Sequence, residues 1–137
     1  MALEYEARSW FDNLFWSARP LFSLSGRIWN PPVDVSDGPD HVFVRMEIAG
    51  VQPENLSVVV DKNHLIIRGY RGDRTPTEGE EPQIIEIRHG RFERVIHLPS
   101  NIFEDGIHAS YREGFLDIWV PKGEAQGKSF RIPIREG

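Results

Sequence analysis

Residues 56–68 read LSVVVDKNHLIIR, two short apolar runs separated by four polar residues. Both runs, Leu56 to Val60 and Leu65 to Arg68, are rich in the β-branched side chains that favour strands. The polar stretch from Asp61 to His64 is typical of a turn, so we predict a hairpin with a four-residue loop. Because no helical stretch of ten or more residues occurs between Val33 and Pro121, this hairpin sets an all-β pattern.

The alternating pattern continues on both sides of the hairpin. Upstream, Val42, Val44, Met46 and Ile48 alternate with Phe43, Arg45 and Glu47 until the turn at 49–53. Downstream, further strands are predicted at 84–88, 92–98, 107–111 and 115–120, the last two joined by a three-residue loop at 112–114. About seven or eight short strands over about ninety residues predict an immunoglobulin-like β-sandwich of two packed sheets.

Three stretches of the chain differ in character. Residues 1–31 hold seven of the fifteen aromatic residues, and part of this segment has helical spacing, so a helical or disordered N-terminal segment is expected. Residues 32–122 form the predicted sandwich, with an exposed polar loop at 71–82. Residues 123–137 are polar and Gly-containing apart from Phe130 and the triplet Ile132, Pro133, Ile134, so a flexible tail with one apolar island is expected.

Composition argues against several classes of partner. A net charge of -5 and a pI near 5.5 do not favour nucleic acid, whose phosphates require a clustered basic surface. No apolar run approaches the roughly 20 residues of a membrane span, and the start lacks a secretory signal pattern. We therefore expect a cytoplasmic protein with no nucleic-acid partner, for which a membrane role is disfavoured.

Catalytic and cofactor sites are not expected either. The sequence has no Cys, no nucleotide-binding glycine motif and no nucleophile elbow. The five histidines have no spacing typical of a zinc site, and adjacent carboxylates fall in polar loops. We predict that the protein is not an enzyme and needs no cofactor or metal.

Three motifs, in their order and spacing, resemble those of the small heat-shock protein, or alpha-crystallin, family. They are Gly90-x-Phe92-x-Arg94-x-x-x-Leu98-Pro99, Ala109-x-x-x-x-Gly114-x-Leu116 followed by Pro121-Lys122, and Ile132-Pro133-Ile134 near the end. The opening Pro32-Val33-Asp34-Val35 and the turn Ala49-Gly50-Val51 agree in position. The resemblance covers roughly residues 32–134. It implies an alpha-crystallin β-sandwich and a stress-response chaperone that holds unfolding proteins without ATP.

The resemblance also implies surfaces of self-assembly. The loop at 71–83 resembles the bacterial and plant branch, in which the following strand crosses to a partner subunit. This strand would pair with the early strand of the partner, and Arg94 would lie at the dimer interface. The residues implied at the dimer interface are Val33, Val35, Ile84, Ile85, Glu86, Ile87, Arg88 and Arg94. The candidate carboxylate partners of Arg94 in this role are Glu86, Glu93, Asp105 and Glu113. The alternative is a solvated Arg94 beside a local bulge.

The C-terminal triplet is expected to act as two pegs in a groove. Pro133 favours an extended backbone, so Ile132 and Ile134 would project to the same side. By resemblance, they enter a tail groove between two strands, lined by Leu56, Val58, Val60, Ile107, Ala109 and Tyr111. The alternative is that these residues are ordinary sandwich core and the tail is frayed.

The aromatic N-terminus is the expected surface for unfolding client proteins. Its charges cancel, and its rings can each bury a large apolar area. The residues expected to bind clients are Trp10, Phe11, Leu14, Phe15, Trp16 and Phe22. An equally weighted alternative is that this segment packs inside the oligomer or on its own sandwich. A different class of function, a small co-chaperone adaptor with one defined partner, needs neither this segment nor the tail triplet.

Overall fold

A computed structural model of the chain describes residues 28–123 and 130–137. These ranges contain strands β1 (Val33–Asp37), β2 (His41–Glu47), β3 (Leu56–Asp61), β4 (His64–Arg71), β5 (Gly90–His97), β6 (His108–Arg112), β7 (Phe115–Pro121), β8 (Phe130–Ile132) and β9 (Ile134–Glu136). Short 3-10 helices occupy Pro53–Asn55 and Glu104–Gly106.

The strands form two sheets, as the alternating pattern predicts. One sheet has the order β1-β2-β7-β6-β9 and the other has the order β5-β4-β3-β8. All pairings are antiparallel except that of β6 with β9. The fold is therefore the all-β sandwich expected from the sequence.

The core follows from the period of two. On β2, Val42, Val44 and Met46 are buried, whereas Arg45 and Glu47 between and after them are exposed. The facing sheet contributes apolar side chains from its own inner face, such as Val58 and Leu65. Because burial of one such side chain stabilises a fold by about 1.5–3 kcal/mol, this alternation fixes which face of each strand points inward.

Both predicted hairpin loops are shorter than expected, so the four-residue and three-residue assignments were wrong. Asp61 pairs with His64 and Arg112 pairs with Phe115, which leaves two residues in each turn. Lys62 and Asn63 have φ of 49° and 67°, and Glu113 and Gly114 have φ of 53° and 83°. Positive φ at both central residues is the geometry of two-residue turns, whose twist matches that of the flanking strands.

The strand predicted at 84–88 is not formed within the chain. Residues 72–89 make no ladder with any described strand, and almost all of them are exposed. A strand requires a partner edge, and this segment pairs with none of the edges that the described strands offer, neither that of β5 nor that of β1. The expectation of an exposed loop at 71–82 is confirmed for residues 72–82. Arg71 is the last residue of β4 and does not belong to the loop.

Candidate interaction surfaces

The C-terminal tail crosses both sheets at one side of the sandwich. β8 runs antiparallel to β3 with Ile132 opposite Val58, and β9 runs parallel to β6 with Ile134 opposite Ala109. Exposed Pro133 lies between them, where the tail changes sheet. Because proline has no N–H, this step removes no donor from either ladder.

Burial in the tail groove is uneven. Ile132 is 1% exposed and belongs to the core cluster, whereas Ile134 is half-buried and packs against that cluster. Of the residues predicted to line the groove, Val58, Val60, Ala109 and Tyr111 lie opposite tail residues. Leu56 and Ile107 lie outside that register and are buried in the core cluster.

Tyr111 has a second role that the sequence did not indicate. Its hydroxyl donates to the carbonyl oxygen of Ile48 at 2.8 Å and accepts from the N–H of Val51 at 3.3 Å. The tyrosine therefore fixes the turn after β2 to the strand that receives β9. A partly buried hydroxyl that donates one hydrogen bond and accepts another is satisfied in both roles.

The segment 84–88, called the arm from here on, exposes most of its apolar surface. Ile84, Ile85 and Ile87 are 79%, 79% and 69% exposed. The side chain of Arg71 fixes the base of the arm, because its Nη2 and Nε donate to the carbonyl oxygen of Arg88 at 2.6 Å and 3.0 Å. Three large aliphatic side chains are thus presented to solvent on a segment held at its C-terminal end.

β1 is an open sheet edge. Its residues Val33 and Val35 lie opposite Met46 and Val44, which are buried, so both valines point to the inner side of the sheet. Val35 is nevertheless 48% exposed and Val33 is half-buried. Within the described residues, β1 pairs with β2 alone. The edge therefore offers both unpaired backbone groups and uncovered apolar surface.

Arg94 does not find a carboxylate in the described part of the chain. It lies opposite Ile67 and is half-buried, and its Nη1 donates to the carbonyl oxygen of Pro31 at 3.3 Å. Of the four carboxylates named as candidates, Glu93 instead forms a buried ion pair with Arg68 at 2.5 Å, on the opposite face of the sheet. Glu86, Asp105 and Glu113 form no ion pair with Arg94 in these ranges.

Trp29 contributes to the sandwich, although sequence analysis counted it with the N-terminal aromatics. It is 9% exposed and belongs to the core cluster. Its N–H donates to the carbonyl oxygen of Arg91 at 3.1 Å, and its carbonyl oxygen accepts from the N–H of Glu93 at 3.0 Å, so it covers part of the β5 edge. The position of Trp29 close to Pro31 and Pro32, at the start of the predicted sandwich, was a sequence feature that could have indicated this role. It does not by itself distinguish a ring in the core from a ring that binds clients.

Arg71 contacts both Trp29 and the arm. The guanidinium of Arg71 lies 4.7 Å from the centroid of the Trp29 ring, and its Nη1 donates to the carbonyl oxygen of Ala49 at 3.2 Å. Its planar fork can serve several acceptors and stack on an aromatic face at once. Arg71 therefore joins the start of the sandwich, the turn after β2 and the base of the arm.

The residues expected to bind clients, from Trp10 to Phe22, lie outside the described residues. Residues 28–123 and 130–137 contain no group of three or more His, Asp or Glu side chains placed to hold a metal ion. No helix in these ranges is long and apolar enough to cross a bilayer.

Residues 34–135 match the model of the Hsp20/alpha crystallin family. Small heat shock protein C2 of Rickettsia felis is 28% identical over 127 residues, which are 91% of this chain and 82% of that protein. Heat shock protein 16 of Schizosaccharomyces pombe is 33% identical over 126 residues, covering 90% of this chain and 87% of that protein.

Solved structures agree with these matches. The crystal structure of hspA from Xanthomonas axonopodis has a TM-score of 0.63 and 38% identity, over 72% of this chain and 98% of that one. Heat shock protein 16.0 from Schizosaccharomyces pombe has a TM-score of 0.63 and 34% identity, over 78% and 99% of the two chains.

Proposed function

The chain belongs to the Hsp20/alpha crystallin family, and from that premise we propose that it is an ATP-independent holdase of the cytoplasm. It binds unfolding proteins and prevents their aggregation as a homo-oligomer built from strand-exchanged dimers. The observation that carries the proposal is the exposed arm, which has apolar side chains and a backbone without a ladder in its own chain. No catalytic step and no nucleotide enter this function.

The dimer forms when the arm of one protomer adds to β1 of its partner. In an extended arm, Ile85 and Ile87 share one face, while Ile84, Glu86 and Arg88 share the other. The first pair fits the uncovered inner side of Val33 and Val35, so pairing would satisfy the open edge and cover its apolar surface together. Arg94 would then lie near the interface, because Pro31, the acceptor of its hydrogen bond, comes just before β1.

Larger assemblies form when tails are exchanged. The groove that holds Ile132 and Ile134 is built from β3 and β6, and a tail from another subunit presents the same two side chains to it. The bond pattern is identical in both cases, so exchange costs little free energy beyond the ordering of the tail. This property suits an assembly that opens to take up clients.

Client binding is assigned to the aromatic N-terminal segment, through Trp10, Phe11, Leu14, Phe15, Trp16 and Phe22. Rings in a segment without net charge can bury large areas against many apolar surfaces. Substitution of Trp10 and Phe15 by Ser should weaken client capture. Substitution of the neighbouring polar residues Ser9 and Asn13 by Ala is the matched control.

The test is suppression of heat-induced aggregation of a model protein without ATP, followed by light scattering, with particle mass measured in parallel. We expect suppression near one subunit per client molecule and a mass of many subunits. A clean monomer that leaves aggregation unchanged would overturn the proposal and favour an adaptor with one defined partner. Adding ATP should not change the result.

A further inference from the structure

Three polar side chains that are distant in sequence lie in one row across the four-stranded sheet. Asp61 on β3 lies opposite His64 on β4, and His64 lies opposite His97 on β5. Residues opposite each other in antiparallel strands point to the same face. His64 has the parity of Ile66 and not that of core residue Leu65, so the row lies on the outer face of the sheet.

The two imidazoles approach at the spacing of a chelate. His97 Nδ1 lies 3.1 Å from His64 Nε2, and the ring centroids are 4.9 Å apart with an interplanar angle of 61°. Two imidazole nitrogens bound at roughly 2.0–2.1 Å to one ion are about 3.4 Å apart in a tetrahedral site and about 2.9 Å apart at a right angle. The observed separation falls between these two values.

We propose that His64 Nε2 and His97 Nδ1 bind one borderline divalent cation, of the class Zn²⁺, Cu²⁺ or Ni²⁺. Neutral tautomers with their protons on the other ring nitrogens direct both lone pairs at the ion. Water completes the coordination. Hard cations such as Mg²⁺ and Ca²⁺ prefer oxygen ligands and are not expected to bind.

The backbone holds this pair in place without the metal. Both histidines lie at the ends of paired strands, and the N–H of Leu98, next to His97, donates to the carbonyl oxygen of Asn63 at 2.7 Å. The turn before His64 and the end of β5 are therefore fixed to each other. A chelating pair on paired strands loses little freedom when it binds an ion.

The other described histidines have different neighbours. His41 stacks on Trp119 with centroids 3.7 Å apart, and His89 Nε2 lies 3.4 Å from Asp73 Oδ1. His108 Nδ1 lies 3.1 Å from the carbonyl oxygen of Gly106. Among residues 28–123 and 130–137, the pair of imidazoles within hydrogen-bond distance is thus that of His64 and His97. His89, with its single carboxylate neighbour, makes a matched control.

The experiment titrates the full-length, chelator-treated oligomer with ZnCl2, CuCl2 or NiCl2 by calorimetry and records the Cu²⁺ electron paramagnetic resonance spectrum. We expect one ion per chain, with hyperfine coupling to two nitrogens. His64→Gln and His97→Gln should each weaken binding by at least about tenfold and remove one nitrogen coupling, while His89→Gln binds as the wild type does.

Equal affinity in either pair variant would overturn the proposal, as would a loss of binding in His89→Gln of the same size. Circular dichroism and particle mass show whether each variant keeps its fold and assembly. The site does not depend on the arm, the tail or the chaperone activity. Its failure and the failure of the proposed function are therefore separate results.

Discussion

The sandwich has two apolar seams, and the chain closes only one of them. In the tail groove, Ile132 is 1% exposed because the chain's own C-terminus covers β3 and β6. At the other seam, Ile85 is 79% exposed and Val35 on β1 is 48% exposed. The same aliphatic chemistry is thus buried at one seam and exposed at the other, so only the second seam is left uncovered by the described residues.

This difference implies two strengths of association. Pairing of the arm with β1 of a partner has no competitor among the described residues of the same chain, so all of its apolar burial favours the dimer. Exchange of tails must first remove Ile132 and Ile134 from their own groove. The dimer is therefore expected to be tight, and the larger assembly is expected to exchange subunits.

The largest expected effect comes from the arm. Replacing Ile84, Ile85 and Ile87 together by Ser removes apolar burial worth roughly 1.5–3 kcal/mol for each side chain that the partner covers. Dimers should become monomers at micromolar concentration in analytical ultracentrifugation. Because these side chains are exposed in the single chain, we expect near-UV circular dichroism to remain that of a folded sandwich.

Glu78→Gln, in the same exposed loop, is the control for the arm variant and should keep the wild-type mass. If the triple variant kept that mass, the arm would not be the dimer seam. The contrast between the two seams would then have no consequence for assembly.

A smaller effect is expected from the tail. Ile132→Ala removes a fully buried side chain and should weaken tail docking by about 2–4 kcal/mol, and half-buried Ile134→Ala by less. The double variant should lower the assembly to dimers and raise amide hydrogen exchange in β8 and β9. The exposed neighbour Arg135→Gln is the control. An unchanged mass of the double variant would exclude the tail from assembly.

Some features of the sandwich could be predicted from the sequence and others could not. The core positions of β2 were predictable because alternation with a period of two marks one face of a strand. The turns were predicted too long because Asp61 and His64, polar residues at a hairpin end, still pair in the ladder. Polarity marks the solvent face as well as the loop, so it does not fix the last pair.

The arm and Trp29 show a second limit. The apolar pattern at 84–88 indicates a strand, but a strand forms only by pairing with an edge, and within the single chain the arm pairs with none of the described strands, although β1 is open. Trp29 was counted with the N-terminal aromatics and not with the sandwich because its partners, Phe92 and Arg71, lie more than forty residues downstream. Likewise, the register that brings His64 beside His97 depends on pairing that spacing alone does not encode.

A still smaller effect is expected at Arg71, which links the arm to the sandwich. Arg71→Lys keeps the charge but loses the planar fork that serves Arg88 and Ala49, and should destabilise the base of the arm by about 1–2 kcal/mol. Hydrogen exchange should rise at residues 88–91, and subunit exchange should accelerate. Arg74→Lys, at an exposed pair with Glu80, is the control. Equal exchange rates in both variants would show that Arg71 has no such role.

The smallest effect concerns acid. A hydrogen bond from His41 lowers the pKa of the Asp40 carboxyl, and hydrogen bonds from Arg74 and the Thr77 N–H lower that of Glu80. A carboxyl whose pKa is lower in the folded state stabilises the fold above its ordinary pKa, near 4, and this contribution is lost as pH falls through the lower folded value.

Because both carboxyls are exposed to solvent, their contributions to stability are small. The two carboxyls nevertheless report on different parts of the molecule. Asp40 lies in the turn between β1 and β2, whereas Glu80 lies in the loop that leads to the arm. We expect Asp40→Asn to reduce the fall in melting temperature between about pH 5 and pH 3, in dimers and in the monomeric arm variant alike. Glu80→Gln should reduce this fall in the dimer and in the monomeric arm variant only if the ion pair of Glu80 with Arg74 is kept when the arm crosses to a partner. An effect of Glu80→Gln confined to the monomer would mean that the loop rearranges when the arm crosses to its partner.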